Sequence, residues 1–217
     1  MPTIIFFDGF ETGDYSKWTS TWIMGSNTLS VQNVAHRGKY GLTSHNVGDG
    51  TSFVQKQIAA QTTVYVRVYV RFSVLPTGIG QGVNFIELVT PGHTLLVVSF
   101  ICTDGVNYAW HVTNGATGLA KNSSNEEMKP DMWYCIEVKF VVHATDGEIR
   151  VYRNGEEVLT WTGINTGTFT VTYLNTGSEY TTPYTIDTYI DDVVIADSYI
   201  GILPLLTSLR SVSHAAI

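Results

Sequence analysis

Apolar and polar residues alternate with a period of two along most of the chain, and helical periodicity is nearly absent. The alternation is clearest in the segment TVYVRVYVRFSV, residues 63–74. Its apolar positions are Val64, Val66, Val68, Val70 and Phe72, and the positions between them are Tyr65, Arg67, Tyr69 and Arg71. Because successive side chains of a strand point to opposite faces, the segment is predicted to be a strand with one face in the core and an aromatic and basic face in solvent.

A second segment, WYCIEVKFVVH, alternates in the same way, with Tyr134, Ile136 and Val138 on its apolar face. Asn154 and Gly155 then separate EIRVYR from EEVLTW. Both residues accept positive φ, so this pair predicts a β-hairpin with a two-residue turn.

Further short strands are predicted at TIIFF, TLSVQ, YGLTSHN, SFVQKQ, NFIELV, TLLVVSFI, NYAWHV, TFTVTYLN and YTIDTYIDDVVIA. Clusters of Gly, Asn, Asp, Ser and Thr separate most of them, which is typical of turns. No internal repeat of blade or solenoid length is present. So many short strands predict an all-β fold, a two-sheet antiparallel β-sandwich of jelly-roll type.

The chain length allows one such domain. With 217 residues, of which 44% are hydrophobic, the chain can build a single full core. The sandwich is predicted over residues 1–201, and an apolar C-terminal tail follows over residues 202–217. Leu205, Leu206, Leu209 and Val212 recur in the tail at roughly helical spacing, so a short amphipathic helix or a docking strand fits. The tail is expected to dock on its own domain or to form a homo-oligomer or other assembly contact.

Charge excludes some classes of partner. The net charge of -7 and the absence of a run of Lys or Arg argue against nucleic acid and against a basic membrane-binding patch. No apolar run is long enough to span a membrane. The segment PTIIFFDGFETGD after Met1 lacks the features of a secretion signal. Cys102 and Cys135 lie outside any metal-binding motif, so two buried free thiols are favoured over a disulfide.

Two adjacent carboxylates, Asp191 and Asp192, interrupt the apolar strand TYIDDVVIA. Strict alternation predicts that one of them points outward and the other inward. An inward carboxylate needs a partner, because burying an unpaired charge is costly. The alternatives are backbone N–H groups, the side chain of Lys39 or Arg37, or a bound cation.

The N-terminal segment FETGDYSKW, the segment AHRGKYGL and the strand YIDDVVI together resemble jelly-roll carbohydrate-binding modules. They are also similar to the wider group of concanavalin A-like and laminin-G-like sandwiches. VYVRVYVRFSVLP, MWYCIEVKF and IRVYRNGEEV resemble the interior strands of laminin-G-like domains. These segments cover most of residues 3–200.

The resemblance implies a structural calcium ion that ties the first and last strands together. The implied ligands are Glu11, loop carbonyls around Gly38 to Tyr40, and Asp191 or Asp192. Calcium suits such a set because it takes six to eight oxygen ligands, carboxylate and carbonyl alike. Calcium is therefore predicted as a structural cofactor.

The aromatic and basic face of Tyr65, Arg67, Tyr69 and Arg71 is the predicted ligand surface, joined by Glu87 and His111. Aromatic rings stack on the apolar faces of sugars, while charged groups bind hydroxyls or carboxylates. A polysaccharide or surface glycan is therefore the expected ligand. The alternative is a solvated sheet face whose Tyr and Arg pairs only stabilise the sheet.

Catalysis finds less support in the sequence. Glycoside hydrolases of this shape need two carboxylates on one strand, and NFIELV offers only Glu87. The alternative function is a polysaccharide lyase acting on uronate polymers, with Arg67, Tyr69, His111 and Gln55 as its set. Motifs for a nucleophilic serine or a phosphate loop are absent.

The sequence thus predicts a non-catalytic jelly-roll protein that binds glycans, serves a structural or assembly role, or both. Jelly rolls also build viral and cell-surface assemblies, and the resemblance extends to phage structural proteins and secreted bacterial proteins. An extracellular or virion-surface location follows from that resemblance.

Overall fold

The computed structural model describes residues 1–48, 50–179 and 185–202. These residues form two antiparallel sheets that pack face to face. The first sheet contains the eight strands β1 Ile4–Asp8, β3 Thr28–Gln32, β4 Gly41–Val47, β6 Thr63–Phe72, β11 Tyr134–Val141, β12 Gly147–Arg153, β13 Glu156–Ile164 and β15 Thr185–Ala196. The second contains the seven strands β2 Ser20–Ile23, β5 Thr51–Gln61, β7 Gly82–Thr90, β8 His93–Cys102, β9 Tyr108–Asn114, β10 Ala120–Asn122 and β14 Val171–Glu179.

The strand order confirms the predicted jelly-roll sandwich. The eight-stranded sheet runs β13-β12-β11-β6-β15-β4-β3, with β1 added beside β15. The seven-stranded sheet runs β10-β9-β8-β7-β14-β5-β2. Strands distant in sequence are therefore neighbours, as β6 and β15 are. Within the described ranges, no helix is long and apolar enough to cross a membrane. The predicted tail falls almost wholly on residues 203–217, which lie outside the described ranges.

The apolar faces of the two sheets meet in a core rich in aromatic rings. Phe72 on β6 reaches across the interface, where its ring lies 4.3 Å from that of Phe100 and 5.9 Å from that of Phe85. Trp110 packs edge-on against Phe85 at 6.1 Å. The alternating apolar positions of the β6 segment are buried, as predicted.

The predicted hairpin is confirmed at the turn between β12 and β13. Asn154 and Gly155 have φ values of 52° and 86°, the left-handed conformation that a two-residue hairpin turn requires. Asn154 also binds β11, the strand beside β12, because its Oδ1 accepts the N–H of Cys135 at 2.9 Å. Cys135 and Cys102 are buried free thiols, as predicted. Burial raises the pKa of Cys135 to about 11.

Strand β15 changes its neighbour halfway along its length. Residues Thr185 to Ile190 pair with β4, whereas Val193 to Ala196 pair with β1. Asp191 and Asp192 lie at this fork. On the other side of β15, against β6, the strand carries one extra residue between Asp191 and Val194. Asp192 has a φ of 47°, so the expected alternation of the two aspartates is broken by a β-bulge.

Candidate functional site

The predicted aromatic and basic ligand face is not open to solvent. Arg67 is 2% exposed and Tyr69 is 6% exposed. The segment after β15 covers Arg67, which donates a hydrogen bond from Nη1 to the carbonyl of Gly201 at 2.7 Å. The imidazole of His36 stacks on the ring of Tyr69 at 3.7 Å. The expectation of a wet face is therefore wrong at these two residues.

Glu137 binds the backbone of the segment that follows β15, residues 197–202, which we call the covering segment. Its two carboxylate oxygens accept the N–H groups of Ile200 at 2.7 Å and Gly201 at 2.8 Å. Burial raises the pKa of Glu137, although these two N–H bonds and the charge of Arg67 act in the opposite direction. Tyr199 of the same segment packs against Tyr152 with ring centroids 4.9 Å apart. This half of the predicted ligand face is therefore an internal contact of the protein.

The other two residues of that face are half-buried. The guanidinium of Arg71 lies over the ring of Tyr189 at 4.3 Å and within 3.8 Å of the carboxylate of Asp131. Tyr65 has the ammonium of Lys139 at 6.0 Å from its ring centroid. These contacts match the alternative in which Tyr and Arg side chains stabilise the sheet.

Glu87 and His111 do not join the predicted face. They lie on β7 and β9 of the seven-stranded sheet, whereas Tyr65 to Arg71 lie on β6 of the eight-stranded sheet. Both side chains point away from the core, so the sandwich separates them from Arg67 and Tyr69. The same separation divides the predicted lyase set, because Gln55 also lies on the seven-stranded sheet. Neither predicted constellation is assembled.

The two aspartates at the fork form a cluster with His36. The ligand atoms of His36, Asp191 and Asp192 all lie within 4.8 Å of one another. Asp191 Oδ2 accepts the N–H groups of His36 at 2.9 Å and Arg37 at 3.0 Å, and its Oδ1 accepts the N–H of Asp192 at 2.7 Å. Burial, followed by the charge of Asp192, raises the pKa of Asp191 to about 7 against the effect of these N–H bonds. Backbone N–H groups are therefore partners of the buried carboxylate.

The remaining implied calcium ligands contact the same loop from outside the cluster. Glu11 Oε1 accepts the N–H groups of Lys39 at 2.9 Å and Tyr40 at 3.0 Å. Asp191 and Asp192 offer the hard oxygen ligands that calcium prefers, and the imidazole of His36 suits it less well. Of the four implied calcium ligands, the structure thus brings together Asp191 and Asp192. Glu11 and Tyr40 are hydrogen-bonded to each other outside this cluster.

The outer face of the seven-stranded sheet carries a row of hydrogen-bonded polar side chains. Ser20 Oγ bonds Gln55 Oε1 at 3.2 Å, and Gln55 Nε2 donates to Asn175 Oδ1 at 2.9 Å. Asn175 Nδ2 in turn donates to Glu87 Oε2 at 3.1 Å. The row crosses four adjacent strands, β2, β5, β14 and β7. We call Ser20, Gln55, Asn175 and Glu87 the polar row.

A carboxyl pair stands at the end of the polar row. Glu179 on β14 lies near Glu87 on the neighbouring strand β7, and both line the same small hollow. Burial, then the hydrogen bond to Glu87 and its negative charge, raise the pKa of Glu179 to about 9. Since two adjacent carboxylates resist ionising together, the pair holds one proton between them at neutral pH.

A cleft of about 420 Å³ adjoins the polar row at Gln55. It lies beside the turn between β7 and β8, and its lining includes Gln55, Thr90, His93 and Tyr173. His93 is held by stacking on Phe169, with ring centroids 4.2 Å apart. The cleft thus combines one aromatic ring, Tyr173, with amide, hydroxyl and imidazole groups.

Most residues of this site are not among those predicted from the sequence, although the alternation that marks an outer face is present around them. In the segment VTYLNTGSE, Tyr173, Asn175 and Glu179 alternate with side chains that point to the core. That alternation marks an outer face, but it does not say which strands lie beside it. Gln55 and Glu87 were recognised singly, and only the strand order makes them neighbours of Asn175.

No protein-family model and no curated protein sequence matches the chain significantly. Solved structures match its fold. The cellulose-induced protein Cip1 aligns with a TM-score of 0.71 and 19% identity over 91% of this chain and 99% of Cip1. A carbohydrate esterase from the Shiga toxin-encoding bacteriophage phi24B gives 0.63 and 12% over 92% and 100%. The alginate lyase Aly36B gives 0.53 and 16% over 71% and 80%. At these identities the likeness shows the jelly-roll fold.

Replacing Glu137 by Gln is expected to lower the free energy of unfolding by about 2 kcal/mol, the scale of a hydrogen bond to a charged group. An amide has one acceptor oxygen, so one of the two N–H groups of Ile200 and Gly201 loses its partner. The measurement is chemical denaturation at pH 7. Glu127→Gln, at an exposed position, is the matched control, and equal stability of the two variants would contradict the role of Glu137.

The raised pKa of Glu179 predicts that the protein loses stability as the pH rises from about 4.5 to about 9. In this window the unfolded chain releases the proton of Glu179 while the folded chain retains it, so ionisation favours unfolding. Glu179→Gln is expected to make stability less dependent on pH, which denaturation midpoints at pH 5, 7 and 8.5 would show. An unchanged pH dependence would argue against the shared proton, and Glu127→Gln serves as the control.

Proposed function

We propose that this protein binds a glycan, without catalysis, on the outer face of its seven-stranded sheet. The polar row and the cleft that contains Tyr173 form the site. The observation that carries the proposal is their continuity, because Gln55 belongs both to the polar row and to the lining of the cleft.

The chemistry of the site suits a sugar. A ring such as that of Tyr173 stacks on the apolar face of a pyranose, and amide and hydroxyl groups exchange hydrogen bonds with its hydroxyls. The half-buried Gln55 is oriented by its hydrogen bond to Asn175, which is 5% exposed, and this orientation reduces the entropy lost on binding. A cleft of about 420 Å³ falls within the usual range for small ligands, about 300–1,000 Å³.

The fold comparisons support the same class of ligand. The names of two matched structures refer to enzymes that act on carbohydrate, and a third to a protein induced by cellulose. A lyase remains the alternative function. Binding without catalysis is favoured because the residues first considered for a lyase, Arg67 and Tyr69 with Gln55 and His111, lie on opposite sides of the sandwich.

We also propose a structural calcium ion at the fork in β15, held by Asp191 and Asp192. The clustering of their carboxylates with His36 supports this proposal. A structural or assembly role, a homo-oligomer and an extracellular or virion-surface location stay predictions from the sequence.

The glycan proposal predicts that Tyr173→Ala weakens binding about tenfold, because the stacking surface is lost. A pull-down on insoluble polysaccharides would first identify the class of glycan that binds. Calorimetry with soluble oligosaccharides of that class would then measure the affinity. Tyr65→Ala is the matched control, since Tyr65 is also half-buried but lies on the opposite sheet. If Tyr65→Ala lost binding and Tyr173→Ala retained it, the site would lie on the aromatic and basic face of β6 instead.

The calcium proposal predicts that calcium in hundredfold excess over its dissociation constant stabilises the protein by about 2.7 kcal/mol relative to a chelator. Asp192→Asn is expected to abolish the effect, and Asn tolerates the left-handed conformation of this position. Asp14→Asn, at an exposed carboxylate, is the control. Identical melting temperatures of the unaltered protein with calcium and with chelator would refute the proposal.

A further inference from the structure

Cationic side chains are divided unequally between the two sheets. Arg67, Arg71, Lys139, Arg150 and Arg153 all lie on strands of the eight-stranded sheet. Most of them are paired there with carboxylates: Lys139 and Arg150 both contact Glu148, for example. The cations of this sheet are therefore committed to contacts within the domain.

Two lysines belong to strands of the seven-stranded sheet, and neither serves its outer face. Lys56 lies opposite the buried Leu174, and its Nζ donates to the carbonyl of Lys17 at 2.6 Å. Lys121 lies opposite the buried Val112, and its Nζ donates to the carbonyl of Thr160 in the other sheet at 2.7 Å. Across the described strands of this sheet, no Lys or Arg is thus directed outward.

Carboxyl groups occupy the outer face instead. Glu87 and Glu179 lie on its two central strands, β7 and β14, and Glu87 is part of the polar row. With one proton shared between them, the pair retains about one negative charge at neutral pH. A ligand on the polar row therefore meets neutral amides and an anion.

This distribution selects among glycans. A uronate or sulfate group gives up hydration when it binds, and proteins usually compensate with Arg or Lys, often through bidentate hydrogen bonds. The described strands direct none of these groups to the outer face of the seven-stranded sheet, and Glu87 and Glu179 add repulsion there. Hydroxyl groups, in contrast, suit the amide of Gln55, and an ammonium group would also be attracted to the carboxyl pair.

We propose that the ligand of this face is a glycan without anionic groups, built from neutral or amino sugars. The inference rests on the proposed function and specifies its ligand class. The charge of this one face distinguishes the protein from a protein that binds uronates. It also disfavours the lyase alternative, which requires a uronate.

The test compares three oligosaccharides of equal length: a neutral β-glucan, a chitosan and an alginate. Binding is measured at pH 8 and at low salt, where charge effects are largest. The neutral or amino oligosaccharide is expected to bind at least tenfold more tightly than the alginate. Equal or tighter binding of alginate would overturn this inference and leave the proposed glycan function standing.

A charge variant tests the cause of the preference. Glu87→Gln removes the anion from the polar row, so the ratio of neutral to uronate affinity is expected to fall at least threefold. Glu157→Gln changes the charge equally on the eight-stranded sheet and is expected to leave the ratio unchanged. An identical ratio in both variants would overturn the electrostatic explanation. Binding of no oligosaccharide, with a folded protein verified by thermal denaturation, would overturn the proposed function together with this inference.

Discussion

The contact between the buried carboxylate of Asp191 and the backbone N–H groups of His36 and Arg37 is the constraint on which the fold depends. Strand β15 pairs with β4 along one half and β1 along the other, so a gap opens where the neighbour changes. Asp191 fills the gap with charge-assisted hydrogen bonds to the loop between β3 and β4. The bulge at Asp192 permits both aspartates to face this loop. The last strand is tied at this point to the loop between β3 and β4.

Much of this architecture could be predicted from the sequence, because strand alternation and turn chemistry are local properties. The β6 segment and the turn at Asn154 and Gly155 follow from the order of residues alone. The bulge at Asp192 could not be predicted, since it arises from the pairing of β15 with three neighbours. Alternation also says which residues share a face of a strand but not what covers that face. For that reason Arg67 and Tyr69 were expected in solvent, whereas the chain's own residues cover them.

The two outer faces of the sandwich differ in the same way. Arg67 and Glu137 of the eight-stranded sheet use their charges to bind the segment that follows β15, so that region is closed. On the outer face of the seven-stranded sheet the charged groups of the described strands are Glu87 and Glu179, and the amides of Gln55 and Asn175 are aligned by hydrogen bonds. One sheet therefore stabilises the domain, while the other carries a partly exposed polar row on its outer face. The candidate site follows from this division of roles between the sheets.

The closure of the eight-stranded sheet also bears on how the sequence is free to change. Glu137 and Arg67 bind main-chain N–H and C=O groups, which every residue other than proline supplies. The covering segment is thus recognised by its backbone path and not by the identity of its side chains. Position 200 can accumulate substitutions without loss of these contacts, whereas position 201 is limited to residues that tolerate its positive φ. Selection at this junction therefore constrains the backbone conformation. Substitutions in the surrounding sequence leave the hydrogen bonds to Glu137 and Arg67 intact.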